Sequence, residues 1–100
     1  MKLGEMLPPI HPGEILREIH LADLDMQAGT LAEKLHVPTS LVEEILAEKA
    51  DIDAEMALRL GRFFRTTPEL WLNMQRAYDL KITAIAIKDE LAKILEYDAA

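Results

Sequence analysis

The chain has no cysteine. That excludes disulfides, thiol catalysis and cysteine-based metal sites. It has only five aromatic residues (one Trp, two Tyr, two Phe), so any core must be built mainly from Leu, Ile, Val, Ala and Met. No apolar run approaches the roughly 20 residues that a membrane-spanning helix needs. The first ten residues lack a basic stretch followed by a long apolar one, so no signal peptide is expected. A reducing bacterial cytoplasm fits these absences. Catalytic signatures are missing too. There is no nucleophile motif, no glycine-rich phosphate loop and no pair of carboxylates flanking a recognisable pocket. The sequence therefore gives no reason to expect an enzyme.

What is present is apolar and acidic. Half of the 100 residues are hydrophobic, enough for one domain with a real core. The formal charge is −7. Such a balance disfavours indiscriminate attraction to nucleic acid and suits a basic protein partner.

The periodicity is helical nearly throughout. His11-Pro12-Gly13-Glu14 reads as a helix start, with proline in the first turn and an acid at the positive helix end. Ile15, Leu16 and Ile19 follow at helical spacing. Residues 21–26 read as a connection. Residues 27–35 form a second helix with Ala28, Leu31 and Leu35 on one face, and His36-Val37-Pro38 breaks the pattern. A third helix begins at Thr39 or Ser40, and Ser40 with Glu43 has the spacing of a capping box. Residues 49–52 form a turn. Asp53 is placed to cap a fourth helix, with Met56, Ala57, Leu60 and Phe64 on its apolar face. Thr67-Pro68-Glu69 opens a fifth, with Leu70, Trp71, Met74, Ala77 and Tyr78 inward. A tail helix is expected over about 83–96, along the stripe Ala84, Ile87, Leu91 and Ile94.

Two short helices joined by a three- to four-residue turn make a helix-turn-helix unit. Leu31, Ala32, Leu35, Val37, Val42 and Ile45 fall where that unit needs small and apolar residues. Ala32 lies at the expected crossing point, where only a small side chain fits.

The flanks add a family resemblance. His11-Pro12-Gly13-Glu14-Ile15-Leu16, Ala57-Leu58-Arg59-Leu60, Phe63-Phe64, Thr67-Pro68-Glu69-Leu70-Trp71-Leu72-Asn73-Met74-Gln75 and Ala77-Tyr78-Asp79-Leu80 resemble the HigA/VapI antitoxins over about residues 10–80. The resemblance implies an all-α, five-helix, phage-repressor-like (Xre-type) domain, here with a C-terminal helical extension. The boundaries it suggests are an N-terminal arm at 1–9, the helix-turn-helix domain at 10–80 and the extension at 81–100. It also implies a homodimer that represses its own operon through a palindromic operator. The same protein would neutralise a small, basic, messenger-RNA-cleaving toxin. No cofactor and no membrane association are implied.

In that setting the third helix enters the DNA major groove. Thr39, Ser40, Glu43 and Glu44 lie on its outward face, Gln27 at the start of the second helix faces the DNA backbone, and Lys49 can pair with a phosphate. Several positions depart from the family pattern. Family members often carry Arg and Asn on the outer face, where this chain has Leu41, Glu43 and Glu44. Residues 27–53 hold two lysines against six acids, a sign that repels phosphate. The alternative is therefore a protein-interaction module that keeps the fold and has lost operator binding. Glycine is also missing from four turns where left-handed backbone is expected, at Asp25, His36, Glu48 and Arg65.

Other residues have plainer readings. Trp71 is a core or interface anchor, and Met56 and Met74 are core filler. His11, His20 and His36 show no metal-ligand spacing. Arg59, Arg62, Arg65 and Arg76 either pair with acids such as Glu55 and Glu69 or touch phosphate. Ile87, Leu91 and Ile94 either pack on the domain or form a dimer contact.

Overall fold

A computed structural model of the chain describes residues 9–98. All but one residue of the expected N-terminal arm lie outside the described residues. The described residues form helices and no strand. Helix α1 has three consecutive parts: an α-helical turn, Pro12–Ile15, a π-helical stretch, Leu16–Leu21, and a closing turn, Ala22–Leu24. It is followed by α2 (Ala28–Leu35), α3 (Thr39–Leu46), α4 (Ala54–Phe64), α5 (Pro68–Ala86) and α6 (Lys88–Ala92). This is the expected all-α, repressor-like domain with a helical extension.

Most of the start signals act as read. Asp53 accepts a hydrogen bond from Met56 N–H at 2.8 Å and caps α4. Thr67 does the same for Leu70 N–H at 3.2 Å, with Pro68 in the first turn of α5. At α1 the cap is His11, whose Nδ1 accepts from Gly13 N–H at 2.9 Å. The capping box at Ser40 and Glu43 does not form. Pro38, in extended backbone at φ −63°, ψ 141°, is itself the N-cap residue, so Ser40 already lies inside the helix. Residues 21–26 are also not all connection, since α1 runs on to Leu24.

Four helices end in the same way. Asp25, His36, Glu48 and Arg65 have φ of 49°, 59°, 62° and 60°, the left-handed corners expected from the missing glycines. After each, the next N–H reaches back five residues: Met26 to Leu21 O, Val37 to Ala32 O, Lys49 to Glu44 O and Thr66 to Gly61 O, at 2.8–3.0 Å. That is the Schellman closure, which satisfies carbonyls the helix leaves open. A side chain in this backbone region costs roughly 1 kcal/mol relative to glycine.

The core joins Leu16, Leu21, Leu31, Ala32, Leu35, Val42, Ile45, Ile52, Met56, Ala57, Leu60 and Trp71. Trp71 is fully buried within the chain, and its Nε1–H donates to Thr66 Oγ1 at 2.8 Å, so its polar edge is satisfied. The His20 ring packs against Phe64 and Trp71 at 4.8 and 5.0 Å. Gln75, also buried, ties the turn before α4 to α5. Its Oε1 accepts from Ile52 N–H at 2.8 Å, and its Nε2 donates to Asp51 and Asp79 at 3.2 and 3.0 Å.

The tail departs from expectation. The stretch from Thr83 is not a separate helix start but the end of α5. The break falls at Ile87, whose φ −111°, ψ 21° turns the chain before the five-residue α6. Every residue from 82 to 98 is exposed.

Candidate nucleic-acid interface

The interface is built from the clamp between α2 and α3. Leu31, Ala32 and Leu35 of α2 and Val42 and Ile45 of α3 are all at most 3% exposed. Val37 in the turn is half-buried against the same cluster. Burying five such side chains between two eight-residue helices fixes their crossing, because neither helix would persist alone in water. A three-residue turn, His36-Val37-Pro38, separates them.

Contacts from other helices hold the far ends of both. At α2, Arg59 from α4 donates to Leu35 O at 2.8 Å and His36 O at 3.4 Å, while Glu55 holds it at 3.3 Å. At α3, Arg17 from α1 donates to Leu46 O and lies 3.5 Å from Glu48. A cation on the last carbonyls of a helix opposes the negative end of its dipole. The hydrogen bond from Arg17 to Glu18 raises the guanidinium pKa, so the group stays charged. Gly13 completes the seat of α3. A Cβ there would stand 1.9 Å from Ile45 O, so only glycine lets the start of α1 lie against the end of the third helix.

Arg59 is thus turned inward on backbone carbonyls and on Glu55, which decides its two readings in favour of pairing. Arg76 bonds Asn73 at 3.3 Å. Arg62 and Arg65 form no ion pair among the described residues. Arg62 joins Lys34, His36, Arg59, Leu58 and Phe63 around an open cleft of about 490 Å³ beside the end of α2.

The outward side of α3 is polar but for Ala47. Thr39, Ser40, Glu43 and Glu44 are all exposed. With Val42 and Ile45 inward, helical geometry puts Ser40, Glu43, Glu44 and Ala47 on the ridge farthest from the core. Thr39 sits at its edge, its Cγ2 4.0 Å from where a Cβ on Gly29 would stand. Gln27, exposed, is the N-cap residue of α2 but makes no side-chain cap, which leaves its amide unengaged there. Lys49 is exposed just past the end of α3. Leu41, expected on the outer face, is instead half-buried against the core. Neither Glu43 nor Glu44 has an ion-pair partner among the described residues.

Sequence reasoning missed the inward roles of Arg17 and Gln75, the cap formed by His11 and the bonds of Arg59 to the end of α2, while the pairing of Arg59 with Glu55 was among its readings. Only the local spacing of Glu55 and Arg59, at i and i+4, could have hinted at one of them.

A short helix-turn-helix, held by α1 and α4 with its second helix projecting, defines a domain of the nucleic-acid-reading class. No protein-family model matches the chain. It is 51% identical over 76 residues to virulence-associated protein I of Dichelobacter nodosus, spanning 76% of this chain and 70% of that protein. A solved Coxiella burnetii structure, described as an addiction module antidote protein of a HigA family, superposes with a TM-score of 0.88. It is 46% identical and covers 91% of this chain and 100% of its own. Pseudomonas aeruginosa antitoxin HigA, solved with the higBA promoter, matches with a TM-score of 0.86 at 39% identity, over 89% of this chain and 97% of its own. The chain belongs to the HigA/VapI antitoxin family of helix-turn-helix proteins.

Proposed function

We propose that the protein is the antitoxin of a type II toxin–antitoxin pair, a dimeric autorepressor that binds a palindromic operator and neutralises a small basic toxin. The observation that carries the reading is the exposed ridge of α3, held by the clamp and free of packing duties. In this reading the ridge enters the major groove. Thr39 and Ser40 contact base edges or phosphate, and Glu43 accepts from a cytosine amino group. Glu44 lies beside it, while Gln27 and Lys49 bind the backbone on either side. The protein acts in the cytoplasm, without cofactor and without catalysis. Similarity to a HigA solved with promoter DNA supports the operator part.

One observation favours a second reading. The ridge carries two unpaired carboxylates and no cation. A protein that kept the fold for partner binding alone would tolerate such a surface, whereas a phosphate-lined groove opposes it.

A gel shift with the chain's own promoter at two salt concentrations separates the readings. Binding that weakens with salt and requires the palindrome is the expected result. No shift at low salt, with the helix content intact, would remove the operator function and leave the interaction module. Glu43→Ala sharpens the assignment. A changed sequence preference makes Glu43 a base reader, and uniformly tighter binding makes it a repulsive bystander.

A further inference from the structure

The cleft beside the end of α2 differs in sign from the molecule around it. Its wall holds Lys34, Arg59 and Arg62, three of the chain's 11 Lys and Arg, and among the described residues no acid lines it. The whole chain carries −7. The cleft's volume of about 490 Å³ falls within the roughly 300–1,000 Å³ of clefts that hold a ligand. Its three cations have different duties. Arg59 is committed to Leu35 O, His36 O and Glu55. There it offsets the negative end of α2, which would otherwise repel an anion entering the cleft. Lys34 and Arg62 are exposed and form no ion pair among the described residues. Apolar surface lines the same cleft. Leu58, one helical turn before Arg62 on α4, is 60% exposed, and Phe63 is half-buried.

We propose that this cleft docks an acidic peptide segment of a second protein, with carboxylates on Arg62 and Lys34 and an apolar side chain against Leu58 and Phe63. The planar guanidinium of Arg62 takes one carboxylate through two parallel bonds, and Lys34 meets another as a point charge. A nucleic acid fits less well. Its phosphates continue beyond the cleft, where a chain of this net charge repels them, and a phosphate strand leaves Leu58 uncovered. A basic toxin surface has the wrong sign for this cleft. The inference therefore adds a second partner surface to the reading above, opposite in charge to the ridge of α3.

The test is a titration of the full, isotope-labelled chain, read by amide NMR shifts, with the acetylated and amidated peptide Asp-Leu-Glu-Leu-Asp. Saturating shifts at Lys34, His36, Leu58, Arg62 and Phe63, with a Kd of about 1 mM or tighter, are the expected result. Lys34→Gln with Arg62→Gln is expected to weaken binding about tenfold. Helix content should be retained, because both side chains are exposed. Leu58→Ser, also at an exposed position, is expected to weaken binding about fivefold. The peptide Lys-Leu-Lys-Leu-Lys should leave these residues unmoved. The absence of saturating shifts, or a double-glutamine variant that binds as tightly as the wild type, overturns the proposal. So does equal binding of the lysine peptide. A non-operator DNA duplex that moves the same residues at lower concentration would make the cleft a phosphate contact instead. Shifts there on concentrating the chain without peptide would make a second copy the occupant, and either result overturns the peptide assignment.

Discussion

The two halves of α5 are one continuous helix with opposite fates. In the first, Trp71 is fully buried and hydrogen-bonded at its ring nitrogen, and Gln75 is bonded on both ends of its amide. In the second, Ile85 is 69% exposed, and in the tail beyond it Leu95 is 88% exposed. Residue type does not separate them, because both halves are rich in large apolar side chains. The difference is whether another element lies alongside. Helices α1 and α4 flank the first half, and among the described residues no other element flanks the second. The body therefore carries its own stability, while the extension depends on what it meets.

The contrast can be broken from the body side first. Trp71→Ala removes the largest buried side chain and the bond to Thr66, and should cost about 3–5 kcal/mol in urea unfolding. That is a large share of the stability a small domain has. Gln75→Leu keeps the volume but strands the Ile52 N–H, and should cost about 1–3 kcal/mol in the same measurement. Leu95→Ser, in the exposed tail, should change the unfolding free energy by less than about 0.5 kcal/mol. A Leu95 effect as large as that at Gln75 would mean that the tail packs on the body after all, and the distinction between the halves would fall.

Much of this fold was legible because its signals are local. Thr67-Pro68-Glu69 and Asp53 announce helix starts through chemistry within three residues. The clamp of Leu31, Ala32, Leu35, Val42 and Ile45 shows in its periodicity. The four left-handed corners were readable because the resemblance marks where glycine is expected. The unread parts depend on residues far apart in the chain. Arg17 reaches Leu46 and Arg59 reaches Leu35, and their partners become neighbours only after folding. Ser40 and Glu43 had the right spacing for a cap, but Pro38, two residues earlier, is the N-cap. The π-helical stretch in α1 and the break at Ile87 have no residue in the sequence that marks them. On the candidate interface, residue exposure was foreseen at Gln27, Thr39, Ser40, Glu43, Glu44 and Lys49, whereas Leu41 turned inward with the core.

The corners at Asp25, His36, Glu48 and Arg65 have a consequence for the lifetime of the protein. Each keeps a side chain in backbone that glycine would occupy at lower energy, so the native state sits above the floor its own topology permits. Every 1.4 kcal/mol so withheld enlarges the unfolded population about tenfold. Unfolded chains are what cellular proteases remove. Glycine at Arg65, the corner outside the helix-turn-helix and in no ion pair among the described residues, is therefore expected to lengthen the lifetime of the protein without moving a core atom.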